Sequence, residues 1–368
     1  MESSSVLIVG GGPAGSSCAK ALHEAGLDTI ILDKNTFPRN KVCGGWITPP
    51  VLDCLNIDPA EYATGRVLQA ITGFRTSLLG STEIESEYGR AISYGIRRFE
   101  FDDYLLKRCG ARLRLGEPLK SIERSADGWI VNGQIHTRLI VGAGGHFCPV
   151  ARFLGARTSE ETPVTAQEVE FQMNAAQLSS CSVRGNLPEL FFCEDMLGYG
   201  WCFRKGDFLN VGLGRLDPHS LPVHVAAFVH FLRKTGKVAF DLPSSMRGHA
   251  YLIQRETKRN LVDDGILLIG DSAGLAYSQS GEGILPAIES GLLAAKTILD
   301  AGGHYTRDRL TSYRDRLATR FGNSQSDWAT RIGRSLPPAA MKSLARMLLG
   351  THWFSRHVVL DRWFLRTQ

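Results

Sequence analysis

The apolar positions of this chain change period along its length, and the changes mark its elements. Val6-Leu7-Ile8-Val9 is a continuous apolar run, the pattern of a parallel-sheet strand covered on both faces. A helix is predicted from about Ala14 to about Ala25, ended by Gly26. Thr29-Ile30-Ile31-Leu32 then reads as a second buried strand closed by Asp33. Two further buried runs, Leu139–Val141 and Ile266–Ile269, are each followed by a Gly-rich turn and a helix, the later helix long and starting near Gly283. Residues 66–92 alternate loosely and predict antiparallel strands. Residues 164–254 are strand-rich with one helix near 222–235. Other helices are expected from about Pro49 and from near Phe101, and beyond residue 300 the pattern is helical and basic. Parallel-type segments at the start, near 140 and near 270, with antiparallel material between them, predict an α/β chain. Its parallel-sheet domain is discontinuous and carries an inserted sheet domain.

The first turn carries chemistry as well as structure. Gly10, Gly12 and Gly15 stand at G-x-G-x-x-G spacing between the first strand and the helix, with Pro13 and Ala14 inside the turn. The first glycine permits the turn, the second admits a pyrophosphate to the backbone, and the third lets helix and strand pack closely. The N–H groups at the helix start face an anion. Asp33 ends the second strand where a carboxylate accepts from a ribose hydroxyl. A solvated loop acid suits the same place less well. Lys34 follows and is counted with the cofactor residues, although an ordinary surface lysine also suits that position.

Composition narrows the partners. The 368 residues suffice for one large or two modest domains with real cores. The net charge of +5 is mild and no nucleic-acid motif occurs, so nucleic acid is not an expected partner. The eight cysteines form no C-x-x-C pair and no zinc spacing, and no metal site is expected. The chain enters its first strand without a signal-peptide pattern. Reduced thiols and a cytoplasmic location are therefore expected. No apolar run is long enough to span a bilayer.

Three motifs in order, Gly10–Gly15 with Asp33, "RRFEFDDYLL" (97–106) and "LLIGDSAGLAYSQSGEGI" (267–284), resemble the FAD-dependent oxidoreductases of the glutathione-reductase-like class. That class includes aromatic hydroxylases, flavin halogenases and geranylgeranyl reductases. The resemblance implies a Rossmann-type FAD-binding domain over 1–65, 93–160 and 255–300. It also implies an antiparallel-sheet substrate domain over 66–92 and 161–254, and a C-terminal helical region over 301–368. It implies FAD as cofactor. Gly10, Gly12, Pro13, Ala14, Gly15, Asp33 and Lys34 would hold its ADP half, and Arg98 of the R-x-x-F-D-x-x-L pattern would lie near the flavin. Gly270 and Asp271 would meet the ribityl and pyrophosphate region, and Gly281, Gly283 and Ile284 would form the turn beneath the isoalloxazine. Within the class, "KVCGGWI" (41–47) and "GYGWCFRKGDFLNVGLG" (198–214) resemble the geranylgeranyl-reductase-like branch. That branch reduces isolated carbon–carbon double bonds of prenyl chains, so an apolar small molecule or lipid is the implied substrate. The likeness places Lys41 at the cofactor, Cys43 by the flavin and substrate cavity, and Tyr199 and Trp201 on an apolar wall.

Departures from the family pattern bear on the donor and the reaction. Gly144 replaces the acid of the family's Asp-Gly, Ser278 replaces a proline before the last Gly-rich turn, and Arg204 replaces another. NAD(P)H is the implied electron donor, and Gly144 leaves its mode of encounter open. A monooxygenase is the alternative enzyme. A halogenase fits less well, because the Trp-x-Trp-x-Ile-Pro motif is absent. A flavin-bound binding protein is the non-enzyme alternative. For Cys43, a small buried hydrophobe stands against a thiol of open access beside a lysine, the setting in which cysteines react.

From Arg331 to Gln368 the chain carries seven Lys or Arg and one acid, Asp361. Met341, Leu344, Ala345, Leu348 and Leu349 fall on one helical face, and Trp353, Phe354, Trp363 and Phe364 follow. Such a pattern suits peripheral contact with an anionic membrane. It also suits a helical cap over the substrate domain, and the cap is the favoured expectation.

Overall fold

The computed structural model describes residues 1–156, 161–217, 220–254, 259–322 and 338–366, the side chains of 338–342 excepted. The chain divides into two compact units. Met1–Asn40, Phe99–Thr162 and Tyr251–Ser326 form the first; Lys41–Arg98, Pro163–Ala250 and Asp327–Gln368 form the second.

The buried apolar runs meet in the first unit. Its sheet runs Val262–Asp263, Ile266–Leu268, Ile135–Gly142, Glu2–Val9, Thr29–Asp33, Arg112–Leu115. The pairs from Ile266–Leu268 onward are parallel, with Val6 opposite Leu139, Ile8 opposite Val141 and Ile8 opposite Ile31. Both faces are covered, and Leu7, Ile8, Ile31, Leu139 and Ile140 are wholly buried. The helices Pro13–Glu24 and Ile284–Asp300 pack closely, because Gly291 lies where a Cβ would overlap the Ala14 carbonyl oxygen. Cys18, Ala19 and Leu22 from one, and Ala294, Ala295 and Ile298 from the other, share one core with Leu310, Tyr313 and Leu317 of the helix Arg307–Phe321.

The second unit is built on a seven-stranded sheet. Its order is Arg247–Tyr251, Val164–Gln172, Phe208–Arg215, Gly198–Lys205, Glu189–Phe192, Gly73–Leu78, Ile84–Glu87. Strand alternation gives its two faces different partners. Tyr199, Trp201 and Phe203 meet one apolar cluster, while Cys202 meets another. The helix Leu221–Lys234 covers the Cys202 face with Leu221, Val225, Phe228 and Leu232, a helical stripe. The Tyr199 face is covered by Leu349, Val359, Leu360 and Phe364 of the C-terminal helical segments. Trp46–Ile47, Ser93–Ile96 and Leu68–Ile71 make a small antiparallel sheet beside it.

Several expectations change in detail. The helix expected near Phe101 begins at Arg98, directly after the strand Ser93–Ile96. Residues 66–92 are not one antiparallel group. They serve both sheets, and Gly73–Leu78 pairs parallel with Glu189–Phe192. The strand-rich stretch holds a second helix, Ala175–Ser180, started by a capping box of Asn174 and Gln177. Residues 41–65 and 93–98, grouped by sequence with the nucleotide segments, cluster with the second unit, and 301–322 cluster with the first. In the tail, Ala345 and Leu349 are buried and Leu344 and Leu348 half-buried, so the stripe turns onto its own unit. Exposed Arg346 pairs with Glu194 at 2.7 Å. Arg331, Arg334 and the side chains of Met341 and Lys342 lie outside the described residues. Among the described residues no helix is long and apolar enough to cross a membrane.

Candidate cofactor and substrate sites

In the first unit the Gly-rich turn is shaped by contacts that leave no room for side chains. Gly10 has φ +118° and lies against the Ala143 carbonyl, and a Cβ on Gly15 would overlap the Gly10 carbonyl oxygen. Gly12 differs, because the nearest atom to its missing Cβ is Arg39 Nη2 at 3.4 Å. Gly12 also caps the helix Pro13–Glu24 with no side-chain hydrogen bond. The first N–H groups of a helix and a guanidinium therefore stand over an open glycine, an arrangement that takes an anion. Asp102, fully buried, holds Arg39 through Nη2 at 3.2 Å. Arg39 Nε is buried and finds no hydrogen-bond partner among the described residues.

Asp33 ties the Gly-rich turn to the second strand. One carboxylate oxygen accepts the Gly11 N–H at 2.8 Å. The other accepts the Asn35 backbone N–H at 2.8 Å and its side-chain amide at 3.2 Å. A carboxylate offers roughly four acceptor sites, so capacity for a hydroxyl remains. Lys34 is exposed.

The later motif folds back onto the same helix start. Gly270, at φ +60°, opens a single 3-10 turn, Gly270–Ser272, and its missing Cβ would lie 3.0 Å from Ala14 Cβ and 3.4 Å from Ala287 Cβ. Its N–H donates to Ser290 Oγ at 2.9 Å. Asp271 Oδ1 lies 3.2 Å from where a Cβ would stand on Gly283, the residue that caps the helix beginning at Ile284. The carboxylate thus sits at a helix N-terminus, where negative charge is favoured. Gly281, at φ +69°, lies under the Tyr251 hydroxyl. A cradle of glycines, two helix starts, an arginine with an unspent N–H and an acid with spare lone pairs fit the phosphates and sugars of FAD. Gly10, Gly12, Pro13, Ala14, Gly15, Asp33, Gly270, Asp271, Gly281, Gly283 and Ile284 all belong to this one unit.

Lys41 and Arg98 fall in the second unit. Lys41 Nζ meets His249 Nε2, and Arg98 is buried at the first turn of its helix. The Cys43–Gly45 turn lies on an aromatic ledge. A Cβ on Gly44 would stand 3.4 Å from Trp201 Nε1 and 3.5 Å from the Phe203 ring. Tyr199 is half-buried against Trp201, Phe192 and Phe364, with ring centroids 6.1, 5.8 and 5.6 Å away. Cys43 is partly exposed, and its Sγ accepts the Gly45 N–H at 3.4 Å.

Beneath the turn lies a buried polar layer that the sequence reading did not single out. Glu168 and Glu170 of one strand, Lys205 of another and Asn210 of a third share it. Burial lifts the Glu168 carboxyl to about 7, against the lowering pull of the Cys43 backbone N–H, the Lys205 charge and Asn210. Burial acts on Glu170 the same way. The charge and hydrogen bond of Lys205, with Asn210 and Arg97, outweigh it and hold that carboxyl below its usual range. The signal was present as acids at 168 and 170, one strand face, and a lone lysine closing an apolar strand. Their partners are distant in sequence. Arg39 was missed for the same reason, since only the fold brings it over Gly12.

Residues 3–322 match the family model described as FAD binding domain. The menaquinone reductase of Mycobacterium tuberculosis is 29% identical, over 98% of this chain and 93% of that protein. A digeranylgeranylglycerophospholipid reductase of Methanosphaera stadtmanae is 26% identical, over 85% of this chain and 82% of that protein. Among solved structures, a geranylgeranyl bacteriochlorophyll reductase-like protein from Thermoplasma acidophilum has a TM-score of 0.79 at 19% identity, covering 99% of this chain and 97% of that one. That likeness is one of fold.

Proposed function

This chain belongs to the FAD binding domain family and is an FAD-dependent oxidoreductase, and we propose that it reduces a carbon–carbon double bond in an apolar, prenyl-type chain. The observation that carries this reading is the seating of the Cys43–Gly45 turn on the Trp201–Phe203 ledge of the second unit. The partly exposed thiol and half-buried Tyr199 adjoin an otherwise apolar aromatic wall. The relatives named for menaquinone and for digeranylgeranylglycerophospholipid support the same substrate class, since both molecules carry isoprenoid chains.

FAD, when bound, supplies the hydride equivalent. Gly10, Gly12, Pro13, Ala14, Gly15 and Asp33, with Lys34, hold its ADP half in this reading, and Arg39 neutralises its pyrophosphate. Gly270 and Asp271 take the ribityl region, and Gly281, Gly283 and Ile284 the ring end. An isolated alkene is unpolarised, so the protein must hold it dry and close to the reacting centre. Tyr199 and Trp201 provide the apolar wall. Trp201 cannot also act as a proton donor, because its N–H is spent on Asn210 at 2.7 Å. Cys43 is the side chain proposed to touch substrate. NAD(P)H is the proposed electron donor. Exposed Met347 (62%) and Trp353 (66%) on the basic C-terminal segment support peripheral contact with a lipid surface.

The test reduces the FAD-loaded protein anaerobically with dithionite and offers digeranylgeranylglycerophospholipid or menaquinone. Mass spectrometry reads the prenyl chain. A gain of two hydrogens per double bond is expected. A product that gains oxygen only after air is admitted would assign the chain to the monooxygenases. Retained flavin with no product under either condition would make it a binding protein.

A further inference from the structure

We propose that Asn210 is the positioning residue of Cys43, and that Glu168 orients the Asn210 amide beneath the same peptide. The inference rests on the reading of Cys43 as the residue that meets substrate.

The amide of Asn210 can stand only one way round. Trp201 Nε1, a donor with no acceptor capacity, donates to Asn210 Oδ1 at 2.7 Å. The Nδ2 group must therefore face the acceptors, and it donates to the Cys43 carbonyl at 3.1 Å. Its remaining hydrogen-bonding capacity goes to Glu168 Oε2 at 3.1 Å and Glu170 Oε2 at 3.3 Å. The Cys43 backbone N–H also pulls the Glu168 carboxyl down, so the acid lies close to the same peptide. The Cys43 carbonyl is thus held from the sheet below by Asn210, whose amide Glu168 and Glu170 orient in turn.

The neighbouring residues are held too. Lys205 Nζ donates to the Gly44 carbonyl at 3.0 Å and to the Ile96 carbonyl at 2.9 Å, and it pairs with Glu170. The Gly45 carbonyl accepts the Ile96 N–H at 2.7 Å. Gly45, at φ +65°, lies so close to Ile96 and Lys205 that a side chain there would displace the turn. The clamp sets the Cα–Cβ direction of Cys43, whose Sγ accepts the Gly45 N–H at 3.4 Å.

The composition of the layer points the same way. Asn210, Lys205 and Glu168 are 0, 1 and 5% exposed. Well-packed apolar residues in place of a buried ionic set are commonly neutral or better for stability. Here apolar replacements would strip the Cys43 and Gly44 carbonyls of their side-chain donors. The layer's distinctive work is to hold an irregular turn, and the one reactive side chain on that turn is the thiol.

The experiment uses the full-length FAD-loaded protein and iodoacetamide, with alkylation read at Cys43 by site-resolved mass spectrometry. Asn210→Leu and Glu168→Leu are expected to change the Cys43 alkylation rate about five-fold or more, with flavin content and the rate at exposed Cys54 unchanged. Glu168→Gln keeps an acceptor for the Asn210 amide and is expected to stay within about two-fold of wild type. Should Asn210→Leu fail to fold, Asn210→Asp keeps the acceptor for Trp201 and removes the donor, and it is expected to behave as the leucine variant would. Alkylation rates within two-fold of wild type in the folded Asn210 and Glu168→Leu variants would overturn the proposal. So would a change at Cys43 that merely follows loss of flavin, or a Glu168→Gln variant as perturbed as Glu168→Leu. No substrate enters this measurement, so its failure is distinct from failure of the prenyl-reduction reading.

Discussion

Single side chains in this protein act through where their charge is held. Arg39 is held by buried Asp102 and stacks over Phe37 with its guanidinium 4.7 Å from the ring centroid, so its Nη2 is aimed at Gly12 with little freedom to lose. Arg39→Met keeps the stem and removes the charge. Flavin titration is expected to give an affinity weaker by about 10- to 100-fold, the size of a charge-assisted hydrogen bond or two. Glu168 titrates in the opposite sense to a salt-bridged acid. Its folded value of about 7 lies above the ordinary 4.5, so the folded chain binds the proton more tightly than the unfolded one. The associated stability is complete below about pH 4.5, declines as pH rises toward about 7, and is lost above that. A shift of that size corresponds to about 3 kcal/mol. Glu170 titrates the other way but is present in both wild type and variant. Urea unfolding at pH 5 and pH 8 should therefore favour the Glu168→Gln variant over wild type by about 2–3 kcal/mol more at the higher pH. An unchanged difference would mean that Glu168 is not raised.

At the scale of elements, the strand–turn–helix at the N-terminus works because three glycines remove three obstacles. Gly10 turns, Gly15 lets the helix rest on the Gly10 carbonyl, and Gly12 stays open beneath Arg39. Gly15→Ala puts a methyl group into that carbonyl and 3.2 Å from Ile8 Cγ2. The helix must lift from the sheet, and overpacking of this kind costs about 1–3 kcal/mol. Thermal melting should fall, and gel filtration should yield protein depleted of flavin. The same closeness recurs where Gly291 admits the Ala14 carbonyl and brings the two long helices together. In the second unit the strand Gly198–Lys205 shows the complementary device. Its odd positions build the aromatic ledge, while Gly200 lies 2.7 Å, at Cβ, from the Phe228 ring on the other face.

At the scale of the whole molecule, the chain's last described segment completes a cluster begun near residue 46. The Phe364 ring lies 5.8 Å from Trp46, 6.4 Å from Phe192 and 5.6 Å from Tyr199, centroid to centroid. Phe364→Ala is expected to cost the second unit about 3–5 kcal/mol. Tryptophan fluorescence in urea should report the loss, because Trp46 and Trp201 stand in that cluster. The expectation of a C-terminal cap came from spacing alone, yet spacing could not say which residue the cap would touch. The distinction holds generally here. The amino-acid sequence by itself determined the buried strands, the Gly-rich turn with its acid, and the motifs after Ile269, because strand period, backbone sterics and turn chemistry are local. It also marked Cys43, Tyr199 and Trp201 as residues to watch. Only the tertiary structure brought Arg39 over Gly12, set Gly73–Leu78 parallel to Glu189–Phe192, and placed Asn210 and Glu168 under the Cys43 peptide. Those pairings join positions tens to more than a hundred residues apart. Their energies depend on burial and on the orientation of one polar group against another, and neither exists until the chain has folded.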